Sequence, residues 1–238
     1  MAPLTVPEDR LAVALDLPTG AEALAMVDRL DGACRWYKVG MELYYKAGNE
    51  LLETLQKRGF RVFLDLKLHD IPNTVAGAVR TVAQTGVALL TVHAGGGGAM
   101  LEAAAEAAQT PGAPQLLAVT VLTSMDGGQL ARVGVSGSPA EQVLRLARLA
   151  QASGISGMVC SAEEVATLRA ELGQEVILVT PGIRAAGEEA GDQKRVATAG
   201  AAIALGSSML VVGRPITRAA DPAAAARGIL DEIRKAAC

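Results

Sequence analysis

Aromatic side chains are scarce. One Trp, three Tyr and two Phe make up 3% of the 238 residues, too few to build the stacking platforms on which unpaired bases are held. A surplus of positive charge is missing as well. The 22 Lys and Arg stand against 25 Asp and Glu, a formal net charge of -3, so no broad basic field is available for a phosphate backbone and nucleic acid is not expected as a partner. Cysteines number three, Cys34, Cys160 and Cys238, far apart and without C-x-x-C spacing, which argues against a disulfide framework or a zinc knuckle. The two histidines, His69 and His93, fit neither H-x-H nor H-E-x-x-H, so zinc is not supported. No consecutive apolar run approaches the roughly 18 residues of a membrane span. The stretch Met1 to Arg10 carries Glu8 and Asp9 in place of the apolar segment of an export signal. These absences predict a reduced, unexported, cytoplasmic protein with no membrane partner.

What the chain does have is apolar bulk: half its residues are hydrophobic and a fifth are charged, enough to bury a sizeable core. Short apolar runs recur at Leu11 to Asp16, Trp36 to Gly40, Val62 to Lys67, Ala88 to His93, Leu116 to Leu122, Gly157 to Cys160, Val176 to Thr180 and Met209 to Gly213. They are nearly continuous hydrophobic stretches, as expected of parallel strands covered on both faces. Between them lie amphipathic, Ala-rich segments near 20–31, 46–59, 74–85, 98–109, 139–153, 161–172, 193–206 and 221–236. Gly59, Gly86, Gly154 and Gly173 follow helices where a left-handed cap is wanted, and Ser138-Pro139 and Asp221-Pro222 open them. Strict strand–helix alternation without a linker predicts one (β/α)8 TIM barrel over residues 1–238, a size close to the roughly 250 residues usual for that fold. An open doubly wound sheet is the second choice, but its G-x-G-x-x-G is missing, for the first strand ends Asp16-Leu17-Pro18. The glycines from Gly95 to Gly98 read as a tight turn after the fourth strand.

Chemistry in a β/α barrel sits at the C-terminal ends of the strands. Those ends carry Asp16, Lys38, Asp65 with Lys67 and Asp70, His93, Thr123, Ser161, Arg184 and Arg214. In a regular strand Asp65 and Lys67, two apart, point to the same side, while Leu64 and Leu66 face the helices. With Lys38 on the neighbouring strand, this predicts an alternating cluster of lysines and carboxylates at the mouth. The competing reading is an ion-pair network that costs as much desolvation as it returns. Loops seven and eight, with Arg184, Gln193, Gly213 and Arg214, suit a phosphate dianion, and the long glycine-bearing loop from Pro181 to Gln193 suggests a lid. His69 is expected to turn away from Lys67, His93 to be either a pocket wall or a satisfied rim histidine, and Cys160 to be a small core residue.

The sequence Asp65-x-Lys67-x-x-Asp70-Ile71-x-x-Thr74 now stands beside five others. They are Ala14-Leu15-Asp16, Lys38-Val39-Gly40-Met41-Glu42, Thr180-Pro181-Gly182-Ile183-Arg184, Asp192-Gln193 and Val212-Gly213-Arg214. In this order, from about residue 11 to 222, they resemble the bacterial orotidine 5′-monophosphate decarboxylases. The resemblance implies conversion of orotidine 5′-monophosphate to uridine 5′-monophosphate without cofactor or metal. It implies Lys67 as the catalytic proton donor, Asp65 beside the substrate carboxylate, and Lys38 and Asp70 completing the charged array. Asp70 would be contributed across the interface of a homodimer. Asp16 and Lys38 would hold the ribose, Thr123 the pyrimidine, and Arg184, Gln193, Gly213 and Arg214 the phosphate, with Ile71 and Thr74 as further substrate-binding positions.

Three rivals can be weighed on the same residues. A metal-dependent sugar-phosphate decarboxylase or synthase of the same barrel group would place an acidic magnesium ligand at the end of strand two, where this chain has Lys38, a cation that repels a metal. A Schiff-base aldolase would need a lysine in an apolar pocket, but Lys67 has carboxylate neighbours that favour its charged form. A non-catalytic phosphate-binding barrel would retain Gly213 and Arg214 and lose the central charges, all of which are present.

Overall fold

The computed structural model describes residues 6–184 and 195–237. Strand and helix follow each other as β1 (Leu11–Ala14), α1 (Gly20–Arg29), β2 (Trp36–Gly40), α2 (Met41–Lys57), β3 (Arg61–Leu68), α3 (Pro72–Ala83), β4 (Leu89–His93), α4 (Gly98–Ala107), β5 (Gln115–Val119), α5 (Gly127–Arg132), α6 (Pro139–Ala152), β6 (Gly157–Val159), α7 (Ala162–Leu172), β7 (Ile177–Thr180), α8 (Ala199–Ala204), β8 (Met209–Val212), α9 (Arg214–Thr217) and α10 (Pro222–Ala236). All neighbouring strands pair in parallel, and β1 pairs with β8, so the sheet closes as a barrel in sequence order. The predicted (β/α)8 architecture is the one found.

Closure divides each strand between two apolar layers. Leu11, Val13 and Leu15 pack outward with residues of the helices, whereas Ala12 and Ala14 join Trp36, Phe63, Leu89, Leu117, Val179, Met209 and Val211. That second cluster holds only strand residues, which places it inside the barrel. Both layers are apolar, which explains why the strands read as unbroken hydrophobic runs. At the closed end, the Arg61 guanidinium lies 4.2 Å from the Trp36 ring centroid, and Trp36 Nε1 donates to Asp9 Oδ1 at 3.3 Å. The interior is thus plugged from below, and function is left to the opposite rim.

Helix boundaries follow local chemistry. Ser138 and Glu141 form a capping box at the start of α6, and Asp221 Oδ1 accepts from Ala224 N at 2.9 Å to open α10. Gly154 and Gly173 take φ of 89° and 88° after α6 and α7, as expected of left-handed caps. Two helix starts differ from the sequence reading by five or more residues, and two helices are additional. Helix α2 begins at Met41, directly after β2, and is kinked at Gly48. Helix α8 begins at Ala199 behind Thr198, whose side chain accepts from Ala201 N, so residues 195–198 are not helical. Two short helices, α5 and α9, were not anticipated; α5 is set by an Asp126/Gln129 capping box inside a segment that composition marks as loop.

Candidate active site

Beyond the apolar plug, the same inward row of the barrel turns polar. Two residues after Trp36 comes Lys38, two after Phe63 comes Asp65, and two after Leu89 comes Thr91. The period of two therefore stacks a charged layer on the hydrophobic one. Lys38 Nζ lies 3.0 Å from Asp16 Oδ1 and 3.6 Å from Asp65 Oδ2, while Lys67 Nζ lies 2.9 Å from Asp65 Oδ1. The charges alternate along a row: Asp16, Lys38, Asp65, Lys67. Side-chain exposures of 62%, 10%, 14% and 30% put Lys38 and Asp65 at the desolvated centre and leave Lys67 reachable from the cavity. Gly40 makes room for the row, since a Cβ there would stand 3.1 Å from Lys38 Nζ.

The expectation that Asp65 and Lys67 share one side holds, but the backbone is not the regular strand that the expectation assumed. Leu64 pairs with Leu90 and Leu68 with Val92, so three residues of β3 stand opposite Thr91 alone. Within this irregularity Lys67 adopts φ 49°, a left-handed conformation unusual for a residue with a Cβ.

The row floors a cavity of about 610 Å³ whose walls include Phe63, Val119, Val121, Val159 and Val211, with Thr123, Arg184, Gly213 and Arg214 around it. Apolar walls around a few convergent polar groups are the usual form of a small-molecule site. Gly213 is the N-cap of α9, and Arg214 is its first residue. Arg184 follows Ile183, which bridges to Ala197, and Arg184 N donates to Ala197 O at 3.0 Å. Gln193 and the middle of the expected lid lie outside the described residues. Asp70, Ile71 and Thr74 do not line this cavity; they are exposed, and Asp70 and Ile71 border a separate shallow hollow with His69, Pro72, Gly95 and Gly96. Asp70 Oδ1 accepts from Ile71 N at 2.6 Å. Within one chain, then, Asp70 is not brought to the row.

A sequence model described as orotidine 5′-phosphate decarboxylase / HUMPS family matches residues 9–229. The chain belongs to this family. A relative from Halorhodospira halophila named orotidine 5′-phosphate decarboxylase is 56% identical over 228 residues, covering 95% of this chain and 97% of that one. One of the same name from Chromobacterium violaceum is 54% identical, covering 94% and 91%. Among solved structures, the orotidine 5′-phosphate decarboxylase of Lactobacillus acidophilus superposes with a TM-score of 0.84 at 40% identity, covering 94% of this chain and 98% of that chain.

Electrostatics in this member of the decarboxylase family favour a charged row. Burial pushes the Asp65 carboxyl up, but the charges of Lys38 and Lys67 and hydrogen bonds from Lys67 and Thr91 outweigh it and hold the group below the usual carboxylate range. His93 is pushed down by burial, then by His69 and Lys67, which favours neutral imidazole. Its Nδ1 accepts from Gly95 N at 3.1 Å, and its ring stacks on His69 with centroids 5.1 Å apart. Cys160 borders the cavity but is buried, its thiol raised to about 12 by burial and then by Glu164. Burial and a raised thiol favour the protonated form, which is the poorer nucleophile.

Sequence reasoning missed two features. Thr91 Oγ1 accepts from Lys67 N at 2.8 Å and donates to Asp65 Oδ1 at 2.9 Å. Arg195 forms a buried ion pair with Glu164 and donates to the carbonyls of Val121 and Leu122, directly before Thr123. Glu164 also accepts from Ser161 N and Oγ, which makes Ser161 a helix cap and not a rim ligand. The pattern Ser161-x-x-Glu164 signalled the cap; nothing local signalled the arginine.

Proposed function

We infer that this chain decarboxylates orotidine 5′-phosphate to uridine 5′-phosphate, the last step of de novo pyrimidine nucleotide synthesis. The observation that carries the reading is the alternating row Asp16, Lys38, Asp65, Lys67 on the floor of a cavity whose walls include Phe63, Val119, Val159 and Val211. Breaking the bond from ring carbon 6 to the carboxylate releases carbon dioxide and leaves an electron pair in the ring plane, where the pyrimidine π-system cannot spread it. Stabilisation has to come from a fixed positive charge outside the ring, already in place before the bond breaks. Lys67 Nζ supplies that charge and then its proton, forming the new C–H bond; the neutral amine regains a proton from water.

Asp65 holds Lys67 in place and lies beside the departing carboxylate. Asp16 and Lys38 take the ribose hydroxyls, Thr123 the pyrimidine, and Gly213, Arg214, Arg184 and Gln193 the phosphate, whose binding energy helps to fix the reacting end. The exposed Asp70, Ile71 and Thr74 serve the site of a second copy, so the working form is a homodimer. The metal-dependent alternative in the same family is disfavoured by Lys38, because its ammonium occupies the end of β2 where a cation would sit.

The test is to follow the ultraviolet absorbance of orotidine 5′-phosphate with chelator-treated protein and with Lys67→Ala. Full activity is expected in the first and a loss on the order of 10⁴-fold or more in the second, since both the proton donor and the preorganised charge are gone. Chelator sensitivity, or retained turnover in Lys67→Ala, would overturn the assignment.

A further inference from the structure

We propose that Thr91 is a positioning residue for the decarboxylation, its hydroxyl locking the break in β3 that aims Lys67 into the cavity and holding Asp65 in register beside it. This rests on the reading of Lys67 given above. It adds a residue that lies behind the charged row, out of reach of the substrate.

The structural problem that Thr91 solves is specific. Two residues of β3 beyond one-to-one pairing are accommodated between Leu64–Leu90 and Leu68–Val92. The Lys67 backbone, at φ 49°, turns out of the regular ladder there, and its part-buried N–H, outside the ladder, still requires an acceptor. Thr91 is fully buried, and Oγ1 provides that acceptor at 2.8 Å. The same oxygen uses its one proton on Asp65 Oδ1 at 2.9 Å, and Asp65 Oδ1 in turn receives Lys67 Nζ at 2.9 Å. Backbone of Lys67, hydroxyl of Thr91, carboxylate of Asp65 and ammonium of Lys67 therefore close a ring of three hydrogen bonds. The ring fixes Lys67 at both ends, main chain and side-chain tip. Leu89, two residues earlier on the same inward row, is apolar, so the hydroxyl enters the interior only at the level where β3 departs from its ladder. Valine has the same shape as threonine but can neither accept from Lys67 N nor donate to Asp65. With it, the ammonium would be tethered only through an Asp65 carboxylate that has itself lost a donor.

Thr91→Ser keeps the hydroxyl and loses a methyl; Thr91→Ala loses both; Thr91→Val keeps the shape and loses the hydroxyl. For each, kcat and KM for orotidine 5′-phosphate are measured across pH, with thermal midpoints recorded alongside. Thr91→Ser is expected to keep most of the wild-type kcat. Thr91→Ala and Thr91→Val are expected to lose kcat on the order of 100-fold, the size of effect that a small misplacement of a reacting group produces. KM should change little, because the proposed phosphate grip lies on other loops. The acid limb of the rate profile should move to higher pH in Ala and Val but not in Ser, since Asp65 loses a hydrogen bond that favours its ionised form.

Should the valine variant fail to fold, serine against alanine still decides, as both lack the methyl. Equal kcat in Ser and Ala, a loss confined to KM, or an unmoved acid limb would overturn the role of Thr91. Absence of turnover in the unaltered chain would instead overturn the decarboxylase reading, so the two failures are separable.

Discussion

Removing Arg195 should do more damage than removing Arg195 and Glu164 together. The two side chains are 9% and 5% exposed and form an ion pair behind the cavity wall. Arg195→Met leaves the Glu164 carboxylate buried with Ser161 as its remaining support, and orphaning a buried charge in this way costs about 3–5 kcal/mol. At 2–4 °C per kcal/mol for a domain of this size, the melting midpoint should fall by roughly 6–20 °C. Glu164→Leu exposes the converse problem, a guanidinium without its counter-charge, and should cost a similar amount. In the double variant no charge is orphaned. What remains is a weakened α7 cap and two carbonyls, Val121 O and Leu122 O, without their donor, each worth about 1 kcal/mol. The double variant should therefore sit about 2–3 kcal/mol below wild type, no worse than either single. Chemical denaturation of all four proteins closes the cycle. A double variant destabilised by the sum of the singles would show that the pair is not coupled and refute the reasoning. Because those two carbonyls precede Thr123, the double variant should also raise KM more than it lowers kcat.

Two further outcomes follow from the charged row. Asp65 is held below the ordinary carboxylate range, so the stability it confers is present above the unfolded value of about 3.9 and is lost as pH falls through the folded one; the gap in unfolding free energy between wild type and Asp65→Asn should be widest near neutrality and close in acid. Mixing Lys67→Ala and Asp70→Ala subunits, each inactive alone, should restore about a quarter of wild-type activity, since random exchange makes half the dimers hybrid and one site in each is then intact. No recovery after exchange demonstrated by a mass tag would remove Asp70 from the shared site.

The sequence made the barrel legible because closure imposes the same demand on every strand: apolar on both faces, with punctuation between. It also exposed Lys38 and Asp65, since a charge at the end of an apolar run has few structural uses. The irregularity at Lys67 stayed hidden, because alternation along a regular strand predicts the same side for Asp65 and Lys67 that the broken strand delivers by another route. Thr91 stayed hidden for a related reason: threonine is ordinary in a strand, and only its level in the barrel, opposite the break, distinguishes it. Arg195 and Glu164 are 31 residues apart, beyond the reach of any local pattern. Asp70 belongs to a different class, because its proposed partner is a second copy of the chain.

The row's charge balance bears on why a decarboxylase would hold two carboxylates so near a reacting carboxylate. Asp16 with Lys38 and Asp65 with Lys67 sum to zero, and each buried charge has its counter-charge within 3.6 Å. On the proposed reading the substrate brings one more negative charge against Asp65 without a cation of its own. Loss of carbon dioxide moves that charge from the carboxylate onto ring carbon 6, nearer to Lys67, and protonation then removes it. The ammonium's interaction thus strengthens along the reaction while the repulsion from Asp65 weakens, which is the differential binding that accelerates a step. A row whose lysine could swing away would lose the first of these effects. On the proposed reading the hydrogen-bonded ring through Thr91 and the left-handed Lys67 backbone oppose that motion, which gives the departure from regular strand geometry a catalytic use.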